Sequence, residues 1–252
     1  MLKQGLFYKT LFVTLCLVFF LSLDANAQRR GRPFRFQNIL EHDMRPYHFG
    51  FTLGINTMNF DVTPVEDLPE PFTYILQGQD YGFHVGIVSN LKLSQFFDLR
   101  FVPTFAFGTR WIEFYENEFE DGWSYRQEEL DPYFLDFPIH IKYKSARMTN
   151  TRVYVIGGIK FSHDLSSSEE LEASGDVPLY LRTRQNDFHY ELGVGFDHYF
   201  YYFKFSTEIK ASFGFRNLVY RGDDAHPSVN KTHWTSIDRL NSRSIMISFL
   251  FE

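Results

Sequence analysis

The sequence is poor in cysteine, in long apolar runs and in clustered basic charge. Its one cysteine, Cys16, falls within the first 27 of 252 residues. The rest of the chain therefore has no thiol for a disulfide framework or a cysteine-containing zinc site. Beyond the first 24 residues no apolar stretch approaches the ~20 residues that a helix needs to cross a bilayer. Lys and Arg number 25 against 31 Asp and Glu, for a net charge of −6. No basic block runs through the body, so a nucleic-acid partner is not expected. The nine histidines are scattered and form no H-E-x-x-H. No EF-hand spacing and no G-x-S-x-G occurs. A hydrolytic group built on His140 or His189 with a strand serine thus lacks its usual nucleophile motif. Gly157-Gly158 and Gly193-x-Gly195 lie inside alternating stretches rather than between a strand and a helix, so they are not nucleotide loops. No enzyme activity, cofactor or metal is expected.

Aromatic side chains are what the chain has in excess. Phe 30, Tyr 15 and Trp 3 make up 19% of it. A chain with that much apolar surface to bury is not disordered.

Residues 1–27 read as a signal peptide. Lys3 and Lys9 precede an apolar core at 11–23, and Ala25-Asn26-Ala27 is a small-x-small cleavage site. A lipoprotein is disfavoured, because Leu15 precedes Cys16 where a small residue is wanted. Residues 28–45 read as a periplasmic leader with a basic cluster, Arg29, Arg30, Arg32 and Arg35. Export without disulfides calls for another stabilising device, and a closed β-barrel in lipid is one, because each strand is paired on both sides.

From residue 46 the dominant period is two. Tyr47, Phe49, Phe51, Leu53 and Ile55 share one face, and His48, Gly50, Thr52, Gly54 and Asn56 share the other. The alternation recurs over 81–87, 97–108, 133–143, 153–162, 188–197, 201–213 and 244–251, which makes eight strands. Pro103 on the apolar face of the third predicts a local bulge. The connections 57–80, 109–132, 163–187 and 214–243 are long and polar, whereas 93–96, 144–152 and 198–200 are short. Strict alternation of long and short is the pattern of outer-membrane barrels, with long loops outside and short turns in the periplasm. The early part of 109–132 reads as an extension of a hairpin above the membrane. Period two alone does not fix whether the apolar face points in or out, and a lipocalin-like barrel would turn it inward. The mixed charges and glycines of the polar faces, and the aromatic strand at 245–251, favour outward. The expected fold is all-β: an eight-stranded antiparallel transmembrane barrel over 46–252. Such a barrel is narrow and filled by side chains.

The polar faces collect Arg100, Asp136, His140, Lys142, Lys160, Glu191, Asp197, Lys204, Glu208 and Lys210. Inside a narrow barrel these charges must pair, so they are expected to form a lumen network. Lys144 and Arg147, in a periplasmic turn, join the leader arginines as candidate contacts for acidic partners or lipid phosphates. The connection 109–132 is acidic: Glu113, Glu116, Glu118, Glu120, Asp121, Glu128, Glu129 and Asp131 face only Arg110 and Arg126. Arg221-Gly222-Asp223 is a chance tripeptide.

Several stretches resemble the PorT family of outer-membrane proteins. They are RPYHFGFTLGINTMNF at 45–60, LDFPIHIKYKSARMTNTRVYVIGGIKFSHDL at 135–165, ELGVGFDHYFYYFKFSTEIKASFGF at 191–215, and ISFLFE at 247–252. The resemblance spans the whole barrel. It implies a non-enzymatic, accessory role in the type IX secretion system, which exports cargo bearing C-terminal signals and, in gliding relatives, delivers adhesins. It implies other secretion components, outer-membrane lipid and lipopolysaccharide as partners, and it leaves the oligomeric state open. A general structural or adhesive barrel is the alternative.

Overall fold

A computed structural model of the protein describes residues 37–39, 44–65, 72–118, 122–130, 133–166, 183–219 and 236–252. The expected signal peptide and the leader arginines Arg29, Arg30, Arg32 and Arg35 lie outside the described residues. The elements are β1 (Tyr47–Pro64), β2 (Phe72–Gln79), β3 (Tyr81–Lys92), β4 (Phe97–Phe101), β5 (Thr104–Phe107), β6 (Arg110–Glu118), β7 (Gly122–Leu130), β8 (Tyr133–Lys144), β9 (Thr151–Asp164), β10 (Asn186–Tyr199), β11 (Lys204–Gly214) and β12 (Ile237–Phe251). No helix among the described residues is long and apolar enough to cross a membrane.

The strands form a closed antiparallel ring. β1 pairs with both β3 and β12, and β4 with β5 fills one position between β3 and β8. β8 to β12 complete the circuit, giving eight positions. Closure leaves no free edge to template aggregation. The side-chain parity is uniform. Tyr47, Phe49, Phe51, Leu53 and Ile55 are exposed, whereas Thr52 and Asn56 beside them are buried. The aromatic coat therefore faces outward, as lipid requires, and a lipocalin-like interior does not apply. Cross-strand stacks such as Phe51 with Phe251, at 4.9 Å between ring centroids, and Phe83 with Phe107, at 4.3 Å, line this outer wall. On the wall of β8 to β11, adjoining grooves of about 510 and 670 Å3 share Tyr143, Val155, Val194 and Ile209.

Pro103 does interrupt its strand, but not by a bulge. Phe101 pairs with Ser89 and Ile139, and Thr104 with Gly86 and Asp136. Three residues separate the pairs on every strand, so none is inserted. The ladder lapses because two prolines meet there. Val102 N–H donates to the Pro138 carbonyl at 3.4 Å, and Ile87 N–H to the Pro103 carbonyl at 3.0 Å. Neither proline can return the bond. The Val102 carbonyl takes the Thr104 hydroxyl instead, at 2.7 Å.

The long connections are more ordered than the sequence pattern indicated. β1 has 18 residues, against the ~9–11 of a membrane-crossing strand, and stays paired with β12 as far as Thr63 opposite Arg239. β2, β6 and β7 form a second, three-stranded sheet, so β6 and β7 make a hairpin outside the ring and part of 57–80 joins it. At this end lies a separate apolar core of Phe60, Ile112, Phe114, Leu218, Val219, Ile237 and Leu240, with Val62 and Ile75 packed against it. At the other end the turn after β10 is Phe200–Phe203, closed by Phe200 N–H to the Phe203 carbonyl at 3.0 Å. Strand β11 accordingly starts at Lys204, three residues later than the alternation implied.

The expected orientation, with the long connections outside, predicts which cysteines react. In a Cys16→Ser background, Asp61→Cys and Arg239→Cys are expected to label with a membrane-impermeant maleimide on intact cells. Ala146→Cys is expected to label only after lysis. The reverse pattern would invert the orientation.

Candidate functional site: the charged lumen

The inward positions carry ionisable side chains, and each is matched. Toward the turn end, Lys142 Nζ donates to both oxygens of Asp197 at 2.9 Å, and Ser206 adds its hydroxyl at 2.6 Å. Lys204 pairs with Glu252 at 2.5 Å and Lys144 with Asp98 at 2.6 Å. In the middle, Arg100 spans the lumen to Glu208 at 2.8 Å and reaches Glu252 at 3.4 Å. Lys210 pairs with Glu208 at 3.5 Å. Lys160 sits between Asp136 at 3.1 Å and Glu191 at 3.4 Å, and Ser162 donates to Asp136 at 2.6 Å. A charge out of water is tolerable only with such partners.

A recurrent local device makes the pairing fit. His140 on β8 faces Gly158 on β9, which faces Glu191 on β10. With no side chain at Gly158, the imidazole Nε2 crosses that strand and meets Glu191 at 2.6 Å. Tyr154 on β9 likewise faces Gly195 on β10, which faces Glu208 on β11. Its ring fills the Gly195 gap, where a Cβ would lie 2.2 Å from Cζ, and its hydroxyl donates to Glu208 at 2.8 Å. His84 on β3 crosses Gly54 on β1 to Ser248 on β12 at 2.9 Å. Lys142 Nζ lies 3.6 Å from the centroid of the Tyr154 ring, so the phenol also serves as a cation–π partner.

All ten residues named for the lumen network are buried: Arg100, Asp136, His140, Lys142, Lys160, Glu191, Asp197, Lys204, Glu208 and Lys210. The structure joins to them Asp98, Tyr154, Glu252 and Lys144. Lys144 is a correction. It was expected at a periplasmic contact, but it is 6% exposed and paired with Asp98. It shares the even parity of His140 and Lys142 on β8, and that parity was the missed signal. Arg147 also engages its own chain. Its guanidinium stacks over the Tyr199 ring at 3.7 Å, and it donates to the Thr149 carbonyl at 2.8 Å and to the Asn38 carbonyl. Asn38 in turn donates to Asn150 Oδ1 at 2.9 Å and to the Tyr199 carbonyl at 3.1 Å. The end of the leader is thus tied to the β8–β9 turn.

Toward the long-connection end the lumen turns apolar, through Met58, Ala106 and Phe134. Arg110 joins this layer to the core above it. Its guanidinium lies over Phe60 at 3.9 Å and Phe134 at 5.3 Å, with Asp164 at 3.8 Å. Burial lowers its pKa to about 10, against the pull of Asp164 and Asp187, so it remains a cation at neutral pH. An aqueous channel would leave the lumen side chains accessible. Instead Arg100, His140, Lys142, Glu191, Asp197 and Glu208 are each at most 1% exposed. Among the described residues no group of His, Cys, Asp and Glu has metal-binding geometry.

An outward apolar coat around a paired ionic plug defines a closed, eight-stranded membrane barrel. The family model "Outer membrane protein beta-barrel domain" matches residues 26–220. The chain belongs to this family and is an outer-membrane β-barrel. Two solved structures from Pseudomonas aeruginosa are similar to it. The outer membrane protein OprG shares 12% identity over 81% of this chain and 94% of its own, with a TM-score of 0.44. The N-terminal β-barrel domain of OprF shares 9% identity over 79% of this chain and 96% of its own, with a TM-score of 0.31. No curated protein matches the sequence.

Two substitutions test the packing. Gly157 and Gly158 are neighbours with opposite outlooks: a Cβ on Gly157 meets nothing nearer than Leu192 at 3.4 Å, whereas one on Gly158 lies 2.0 Å from the Ile139 carbonyl oxygen. Gly157→Ala is expected to leave the urea midpoint of the refolded barrel unchanged, and Gly158→Ala to lower it by an amount corresponding to about 1–3 kcal/mol. Glu208→Ala takes the nearer carboxylate from Arg100 and the acceptor from Tyr154, and is expected to cost about 3–5 kcal/mol. Adding Arg100→Met should recover part of that loss in the same unfolding assay.

Proposed function

We propose that this barrel serves protein export of the type IX class as a non-enzymatic accessory component, acting through its surfaces and not as an open pore. The observation that carries the mode of action is the plugged lumen: buried ion pairs fill the middle and an apolar core caps the long-connection end. Neither a folded cargo nor a large solute has a path through it. Support for the export role is the PorT resemblance across 45–60, 135–165, 191–215 and 247–252. The resembling stretches include the strands that carry the crossing glycines, Gly54, Gly158 and Gly195. Other export components, outer-membrane lipid and lipopolysaccharide are the partners this reading names.

The second reading is a structural or adhesive barrel outside the export machinery. The ordered sheet β2–β6–β7 favours it, because a presented sheet suits surface contact.

Deleting the gene and analysing the secreted proteome separates the two. Loss of cargo bearing C-terminal signals is expected, and unchanged export would overturn the proposal. Purified barrel in planar bilayers is expected to show no step conductance. Regular steps would overturn the closed-lumen mode of action.

A further inference from the structure

The sheet of β2, β6 and β7 has two unlike faces. Register places Tyr74 opposite Tyr115, Leu76 opposite Glu113 and Gly78 opposite Trp111. The intervening residues Ile112 and Phe114 are fully buried in the apolar core, with Ile75 against them. The other face therefore points away from the core, and it is aromatic. Tyr74 and Tyr115 stack at 4.3 Å between centroids with 17° between planes. Trp111 lies across Gly78, where a Cβ would be 1.9 Å from Cζ2. The glycine lets the indole lie down on the strand. Tyr74 and Leu76 on this face are 39% and 45% exposed.

We propose that this face binds a linear glycan of uncharged or amino sugars. The flat indole of Trp111 would be its ring platform and the stacked Tyr74–Tyr115 pair an aromatic wall beyond it, with Glu113 between them. Trp111 and Tyr115 are four residues apart on one strand, ~13 Å along it. Aromatic contacts at that separation suit a chain of sugars better than a single one. Flat aromatic surfaces match the C–H faces of sugar rings, through apolar contact and the negative ring face. Sugar hydroxyls also need acceptors. The Glu113 carboxylate is steadied by the Tyr115 hydroxyl, which donates to Oε2 at 3.2 Å, and it retains further lone pairs. The sign of the charge selects among polymers. The connection that supplies β6 and β7 carries Glu113, Glu116, Glu118, Glu120, Asp121, Glu128, Glu129 and Asp131 against Arg110 and Arg126, so an anionic polysaccharide is repelled. The face also belongs to the end of the barrel with the long connections, which outer-membrane barrels present to the cell exterior, where glycans are abundant. This site is independent of the export reading.

The test uses the processed full-length barrel refolded in detergent, with heat-modifiable mobility as the folding check. Chitohexaose, maltohexaose and cellohexaose are titrated by calorimetry and by tryptophan fluorescence. Hexagalacturonate serves as the anionic comparison and hexalysine as the peptide comparison. Saturable binding of at least one uncharged hexaose is expected, and it should exceed binding of hexagalacturonate. Trp111→Ala and the pair Tyr74→Ala with Tyr115→Ala should each weaken it roughly ten-fold or more. Tyr143→Ala, on the wall at the turn end, should leave it unchanged. If the ring variants do not fold, Leu76→Lys, a change at an exposed position between Trp111 and the tyrosine pair, must weaken binding instead. No saturable binding of any uncharged hexaose would overturn the proposal. So would full affinity in a folded Trp111→Ala, or binding of hexalysine alone, which would make the face a peptide-docking surface.

Discussion

Charge pairing in a space without water governs this molecule. An eight-stranded barrel is too narrow for a solvated interior, and each unpaired ion there would cost several kcal/mol. The inward face of a strand must therefore be chosen together with those of strands elsewhere in the ring. Arg100 on β4 needs Glu208 on β11, which lies across the lumen. His140 on β8 needs Glu191 on β10, and Tyr154 on β9 needs Glu208 on β11. For His140, Tyr154 and His84 the crossing is open because the intervening strand has a glycine there. The glycines at 54, 158 and 195 are thus part of the ionic network, although they carry no charge. The same principle recurs outside the barrel, where Gly78 admits Trp111.

Strand number, outward aromatic parity and the ten lumen charges were legible in the sequence, because each depends on period two within one strand. What was not legible depends on contacts between distant segments. The apolar core of Phe60, Ile112, Phe114, Leu218, Val219, Ile237 and Leu240 draws on four separate stretches, and no one of them shows an amphipathic run long enough to announce it. Lys144 was misplaced for a narrower reason. At a strand end, parity and turn chemistry compete, and a lysine beside Ser145 reads as turn until Asp98 is seen opposite its side chain. Asp98 and Tyr154 were on the correct face but had no evident partner, since pairing across the lumen follows from closure rather than from neighbouring sequence.

The cap and the ionic plug have complementary roles. The plug needs exclusion of water to keep its pairs strong, and the apolar layer of Met58, Ala106 and Phe134 with the core beyond it supplies that at the long-connection end. Arg110 lies at the boundary and is held chiefly by ring faces, with Asp164 as a longer electrostatic partner. A guanidinium suits this position because it is weakly hydrated and stacks on aromatics. At the turn end, the Arg147 guanidinium uses the same chemistry on Tyr199 while fastening Asn38 of the leader. Two stacked arginines therefore stand at the two ends of the barrel.

The ring is not equally strong all round. Where β4 gives way to β5, Pro103 and Pro138 each leave one ladder bond unmade, and the Thr104 hydroxyl replaces only one of them, at the Val102 carbonyl. Arg100, two residues before Val102, ties β4 to β11 through Glu208, and Lys144 ties β8 back to β4 through Asp98. The Arg100 ion pair thus holds β4 beside the point where backbone pairing lapses. Apolar residues of similar volume would often be as stable in such a lumen or more so; a hydrocarbon filler would pack the space, but it would not tie β4 to β11 beside the gap in the sheet.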